Sequence, residues 1–156
     1  MIPLNEFKLV EMRDVPAGTM LFPANPRLAG GMVMVSQETA QVEALVFMPT
    51  ERGLRINFGK LAEEHERFFS YSSARIVVDE KSLVHGTTSS PGVGSVMLNR
   101  AGAGILIPGE RLFMLDGTIL PVNWGQDPGY SSWHVEIPQP HGGSTILLRM
   151  AVPQGR

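Results

Sequence analysis

The chain has no cysteine. That excludes disulfides, thiolate nucleophiles, zinc ribbons and iron–sulfur clusters, and it leaves the redox compartment unreadable. Charge is scarce as well. Charged residues make up 18% of the sequence, against about 25% in an average soluble domain. The balance of 15 acids and 13 bases gives a net charge of −2. No basic run breaks that balance, so nothing draws in a phosphate backbone and nucleic acid is not an expected partner. Long apolar runs are missing too. No stretch approaches the roughly 18 residues that a membrane-crossing helix needs, so no membrane partner is expected. The first ten residues lack a basic-then-apolar signal pattern, and there is no Asn-x-Ser/Thr acceptor. A cytoplasmic location is the default expectation.

Glycine and proline are plentiful, at 17 and 12 of 156 residues. They cut the chain into short apolar runs. Met32–Val35, Ala44–Met48, Ile76–Val78, Gly104–Ile107, Leu112–Leu115 and Ile146–Val152 all follow this rhythm. Such punctuation limits helix and serves turns, and it builds many short strands. The expectation is an all-β fold: an antiparallel β-sandwich, jelly roll or barrel. A mass of 17.0 kDa fits a single domain spanning residues 1–156.

Several pairings are legible. Glu6–Arg13 and Met20–Phe22 read as a hairpin across the turn at Val15–Thr19. Met32–Ser36 and Val42–Met48 read as the next pair, with apolar residues on consecutive positions and so buried on both faces. Leu54, Ile56 and Phe58 alternate with Arg55 and Asn57. Ala74–Asp79 and Ser82–Gly86 read as a second hairpin. A meander is expected from Val96 to Val122, with Pro108–Gly109–Glu110 and Asp116–Gly117 as turns. One short helix is expected at Lys60–Phe69, where Leu61, Ala62, His65, Phe68 and Phe69 share a face at helical spacing.

The candidate chemistry sits near the C-terminus. In the strand Trp133–Ile137, the residues Trp133, Val135 and Ile137 share one face, and His134 and Glu136 share the other, about 7 Å apart. His141 follows in a glycine-flanked loop. His134, Glu136 and His141 together make a candidate shell for a divalent metal, and the His–Glu pair alone would suit a general base. The plain structural alternative is that His134 and Glu136 are simply the polar half of a half-buried strand. His85 and His65 read as structural histidines. Trp124, Tyr130 and Trp133 cluster beside Asn123, Gln126 and Asp127, which suits carbohydrate stacking or a protein contact. The plain alternative there is a tryptophan packed under its own loop. The nine methionines are most simply core filler.

Catalytic signatures fail. No serine occupies a Gly-x-Ser-x-Gly elbow. Gly92-x-Gly94 and Gly102-x-Gly104 have Met97 and Ile107 where a dinucleotide fingerprint has its third glycine, and Gly59–Lys60 lacks the Ser/Thr of a phosphate loop. The run Gly104–Ile105–Leu106–Ile107–Pro108–Gly109 resembles the second motif of cupins. Glu110 replaces that motif's next glycine, Leu112 or Phe113 its histidine, and the first motif's paired His-x-His does not exist here. The resemblance implies a cupin-like barrel as architecture without its metal site.

The expected function is a non-catalytic β-rich binding or assembly module that forms a homo-oligomer, with no cofactor. The alternative is a jelly-roll or cupin-like small-molecule protein or enzyme. It would use His134 and Glu136 around a metal or sugar.

Overall fold

The structure is a computed structural model in which residues 7–24, 30–36, 43–60, 67–84, 91–122 and 127–152 are described. Among the described residues, fifteen strands form three antiparallel sheets. The first sheet uses β1 (Phe7–Glu11), β2 (Met20–Pro23), β3 (Met32–Val35), β4 (Glu43–Thr50), β5 (Gly53–Lys60) and β6 (Arg67–Tyr71), in the order β1-β6-β2-β3-β4-β5. The second sheet uses β8 (Leu83–Val84), β9 (Val96–Asn99), β10 (Gly102–Ile107), β11 (Arg111–Met114), β12 (Ile119–Pro121) and β13 (Gly129–Tyr130), in the order β12-β11-β10-β9-β13-β8. The third sheet has three strands, β7 (Arg75–Val78), β14 (Ser132–Pro138) and β15 (Ser144–Ala151), with β14 in the middle. The all-β, sandwich-like expectation holds. Among the described residues no sheet closes on itself, so the barrel alternative falls, and the cupin-like barrel with it.

All three sheets feed one interior. Met34, Leu45 and Phe47 come from the first sheet, Val96, Ile105 and Phe113 from the second, and Trp133, Val135 and Leu148 from the third. The two large sheets are greasy on their outer faces too. Leu21, Val33, Val35 and Phe68 form a second cluster under the short 3-10 turn at Met12. Met97, Leu106, Leu112 and Met114 form a third. This is why β3 is apolar at every position, and all four of its residues are buried. Methionine fills irregular gaps in each of the three clusters, as its unbranched, flexible side chain allows.

The local turns follow the expected chemistry. At Asp116–Gly117 the Asp116 carboxylate accepts from the Thr118 amide at 2.9 Å and from its hydroxyl at 2.6 Å. Gly117 supplies φ +87°. The meander β9–β12 forms as expected, and so does the β3–β4 pair.

Three expectations are corrected. The helix at Lys60–Phe69 is strand at both ends: Lys60 closes β5, and Arg67, Phe68 and Phe69 belong to β6. Residues 61–66 lie outside the described residues. Phe68 and Phe69 read as one helical face, yet in a strand they point to opposite sides. Phe68 enters the outer cluster and Phe69 packs on the interior. The β1–β2 hairpin does not form either, because β6 inserts between them, with Val10 opposite Phe68 and Phe22 opposite Phe69. Finally, β7 and β8 are not a hairpin. A 3-10 turn at Glu80–Ser82 carries the chain from the third sheet to the second.

Candidate functional site

The middle strand of the three-stranded sheet has the two faces its alternation dictates. Trp133, Val135 and Ile137 are buried inward. His134 and Glu136 point outward and meet, with His134 Nε2 3.3 Å from Glu136 Oε2. Both neighbours converge on the same carboxylate. Arg75 lies directly opposite Glu136 on β7 and donates from Nε at 3.1 Å and Nη2 at 3.0 Å to Oε1. From β15, Ser144 adds a side-chain hydrogen bond.

A β-bulge makes the Ser144 contact available. Val135 pairs with Leu148, but Glu136 pairs with Ile146, so Leu147 is the extra residue. The bulge lets consecutive Leu147 and Leu148 both pack on the interior. It also resets the strand so that Ile146 and Ser144 share the outer face with Glu136. The carboxyl is held below its ordinary range. The Ser144 hydrogen bond contributes most, with Arg75 and His134 adding to it, while partial burial opposes them. Hydrogen bonds to the charged form are the reason. Glu136 is 8% exposed, so this is a mostly buried, ionised group with its acceptors satisfied.

Such an arrangement does not make a nucleophile. Ser144 and His134 both bond to the carboxylate rather than to each other. An imidazole that does not touch the hydroxyl cannot take its proton. The network instead fixes the imidazole, with Nε2–H pointing at Glu136.

Beyond His134, on the side away from Glu136, lies a pocket of about 200 Å³. Asp79, Ser132, His134, Arg149 and Ala151 contribute to its walls. The register explains the grouping. His134 stands opposite Arg149, and Ser132 stands opposite Ala151, while the Asp79 amide donates to the Ser132 carbonyl at 2.9 Å. A larger recess of about 370 Å³ lies beside β1, lined by Leu9, Glu11, Arg13 and Arg67 among others.

The other residues singled out from sequence fare differently. Trp133 is not a stacking platform. It is 2% exposed, its Nε1 donates to the Gly94 carbonyl at 2.8 Å, and its ring meets Phe47 edge-on at 5.7 Å. Tyr130 sits half-buried on β13, between Leu83 and Val96. Trp124, His65 and His85 lie outside the described residues. His141 is exposed in the β14–β15 turn. Among the described residues no group of three or more His, Cys, Asp or Glu is gathered to hold a metal ion, so His134 and Glu136 come together without His141. Sequence reasoning missed Arg75, Ser144 and Arg149. The available signal was a lone cation within or beside an apolar run, Arg75 before Ile76–Val78 and Arg149 within Ile146–Val152. A strand buried on both faces would not carry one.

Compared with protein-family models, with characterised proteins and with solved structures, the chain matches none.

Proposed function

We propose that the protein is a non-catalytic β-rich binding or assembly module that associates with itself through its sheet edges. One observation carries this reading. Among the described residues, each of the three sheets has one edge blunted by charge or proline and an opposite edge that exposes a large apolar side chain, although Lys8 and Arg149 also stand on the opposite edges β1 and β15. The blunted edges are β5, with outward Arg55 and Asn57, β12, which ends in Pro121, and β7, with Arg75. Charges and proline are the usual devices that stop strands from pairing further. The opposite edges β1, β8 and β15 expose Leu9 at 51%, Leu83 at 38% and Ile146 at 37%. An unpaired edge with an exposed large apolar side chain is a template for another strand, and a second copy of the chain is the simplest source of one. The low charge of the sequence fits the same reading, as does a cytoplasmic place. Among the described residues, no helix is long and apolar enough to cross a membrane.

Sedimentation velocity over a range of concentrations tests it. A species heavier than the 17.0 kDa chain is expected, and substituting Leu9→Lys or Ile146→Lys should shift the distribution toward monomer. A clean monomer at every concentration overturns the reading.

A second reading, a small-molecule protein using His134 and Glu136, is favoured by the 3.3 Å imidazole–carboxylate contact beside a pocket. Metal analysis of the purified protein and of His134→Ala separates a metal-dependent form of it from simple ligand binding.

A further inference from the structure

We infer that the pocket between Asp79, Ser132 and Arg149 binds a small zwitterion with the charge pattern of an α-amino acid, its carboxylate toward Arg149 and its ammonium toward Asp79. The inference does not rest on self-association, although Arg149 and Ala151 lie on the edge strand β15, and it goes beyond the metal or sugar reading.

The charges are laid out by the strand register. Arg149 is on β15 and Asp79 follows β7, one on each side of β14. Their backbones are thus about two strand spacings, or roughly 10 Å, apart across the sheet, with a further two-residue offset along it. They make no ion pair with each other, and Arg149 has no side-chain partner among the described residues. One Asp79 carboxylate oxygen accepts from the Lys81 amide at 3.0 Å, and the other accepts nothing among the described residues. The pocket therefore presents an unpaired cation and an available anion at opposite walls.

A simple anion would satisfy Arg149 but face Asp79. A simple cation would do the reverse. Only a ligand carrying both charges meets both walls, and like-charge juxtaposition argues against the alternatives. Between the walls lie the Ser132 side chain and the His134 ring, which Glu136 and Arg75 hold in place. Orientation of such groups by outer hydrogen bonds is what makes a site specific. Ala151 gives an apolar patch suited to a short side chain. The volume of about 200 Å³ lies below the roughly 300–1,000 Å³ of pockets for drug-sized ligands, which suits a ligand of amino-acid size.

The test is a titration of the intact protein, in whichever oligomeric state it adopts, followed by calorimetry and by amide chemical shifts. Glycine, acetate and methylammonium are the probes. Glycine is expected to bind at least about tenfold more tightly than either single-charge probe, and Arg149→Gln to weaken it by about tenfold or more. Asp79→Asn should do the same. Because that side chain also caps a 3-10 turn, the exposed Arg149 carries the test if the Asp79 variant is poorly folded. Equal binding of acetate and glycine overturns the inference. So does undiminished glycine binding by Arg149→Gln, or the absence of any glycine-dependent shift up to about 100 mM. None of these results bears on the sedimentation experiment.

Discussion

The inner and outer faces of the three-stranded sheet are built from alternate residues of the same strand, yet they are held by opposite physics. Inward, Trp133, Val135 and Ile137 are buried apolar bodies. Their contribution scales with the area taken from water. Outward, His134 and Glu136 sit in a network of charge-assisted hydrogen bonds with Arg75 and Ser144. The large sheets carry apolar clusters on both faces over most of their strands, although β5 turns Arg55 and Asn57 outward from Leu54, Ile56 and Phe58. The lesson is that, among the described residues, the third sheet brings an imidazole, a carboxylate and a guanidinium together on one face.

The comparison can be broken most severely from the inside. Trp133→Ala should lower stability by about 3–5 kcal/mol in chemical denaturation. The ring is lost from beside Phe47 and the Gly94 carbonyl loses its donor. If the loss were instead under about 1 kcal/mol, Trp133 would not be the core residue described here. Gly94→Ala is next. Gly94 has φ +98°, and a Cβ there would collide with Met150 Cε and come within 2.6 Å of Ile56 Cδ1. A destabilisation of about 1–2 kcal/mol is expected, mostly left-handed strain, because Met150 Cε and Ile56 Cδ1 end side chains that can move aside.

Outer-face changes should be milder and should depend on pH. The folded-state pKa of Glu136 is lowered. Its contribution is therefore complete above the unfolded carboxylate range near about 4.3, and it is lost as pH falls through the lower folded value. Glu136→Gln should remove that part of the acid limb in a plot of stability against pH, while costing less at neutral pH than Trp133→Ala. An unchanged acid limb would contradict the network. The smallest effect belongs to Arg149→Gln, which should leave stability within about 0.5 kcal/mol, since the side chain is exposed and has no partner among the described residues. A large loss there would mean that Arg149 is structural.

Much of this division could be read from residues alone. Period-two alternation in Trp133–Ile137 separated the faces correctly, because a strand offers no other way to place successive side chains. The Asp116–Gly117 turn and the β9–β12 meander were legible for the same local reasons. Long-range facts were not. Arg75 reaches Glu136 across 61 positions of sequence, and no spacing rule connects them. Ser144 reaches it only because a bulge at Leu147 shifts the strand, and an extra residue leaves no mark in an already apolar run. Phe68 and Phe69 misled because adjacent aromatics suit a helix face in isolation. Strand pairing on both sides of β6 decides otherwise. Trp133 reads as a ligand platform because its sequence neighbours are polar, whereas its neighbours in space are Phe47 and Gly94.

The edges extend the contrast across the described residues, with β1, β8 and β15 each exposing a large apolar side chain and β5, β12 and β7 carrying Arg55, Pro121 and Arg75. Backbone amide exchange at low and high protein concentration reads that difference strand by strand. The account predicts that amides of one or more of β1, β8 and β15 exchange more slowly at high concentration, while β5, β12 and β7 do not change. Protection that is independent of concentration on all six edges, or that appears only on the blunted ones, would contradict it.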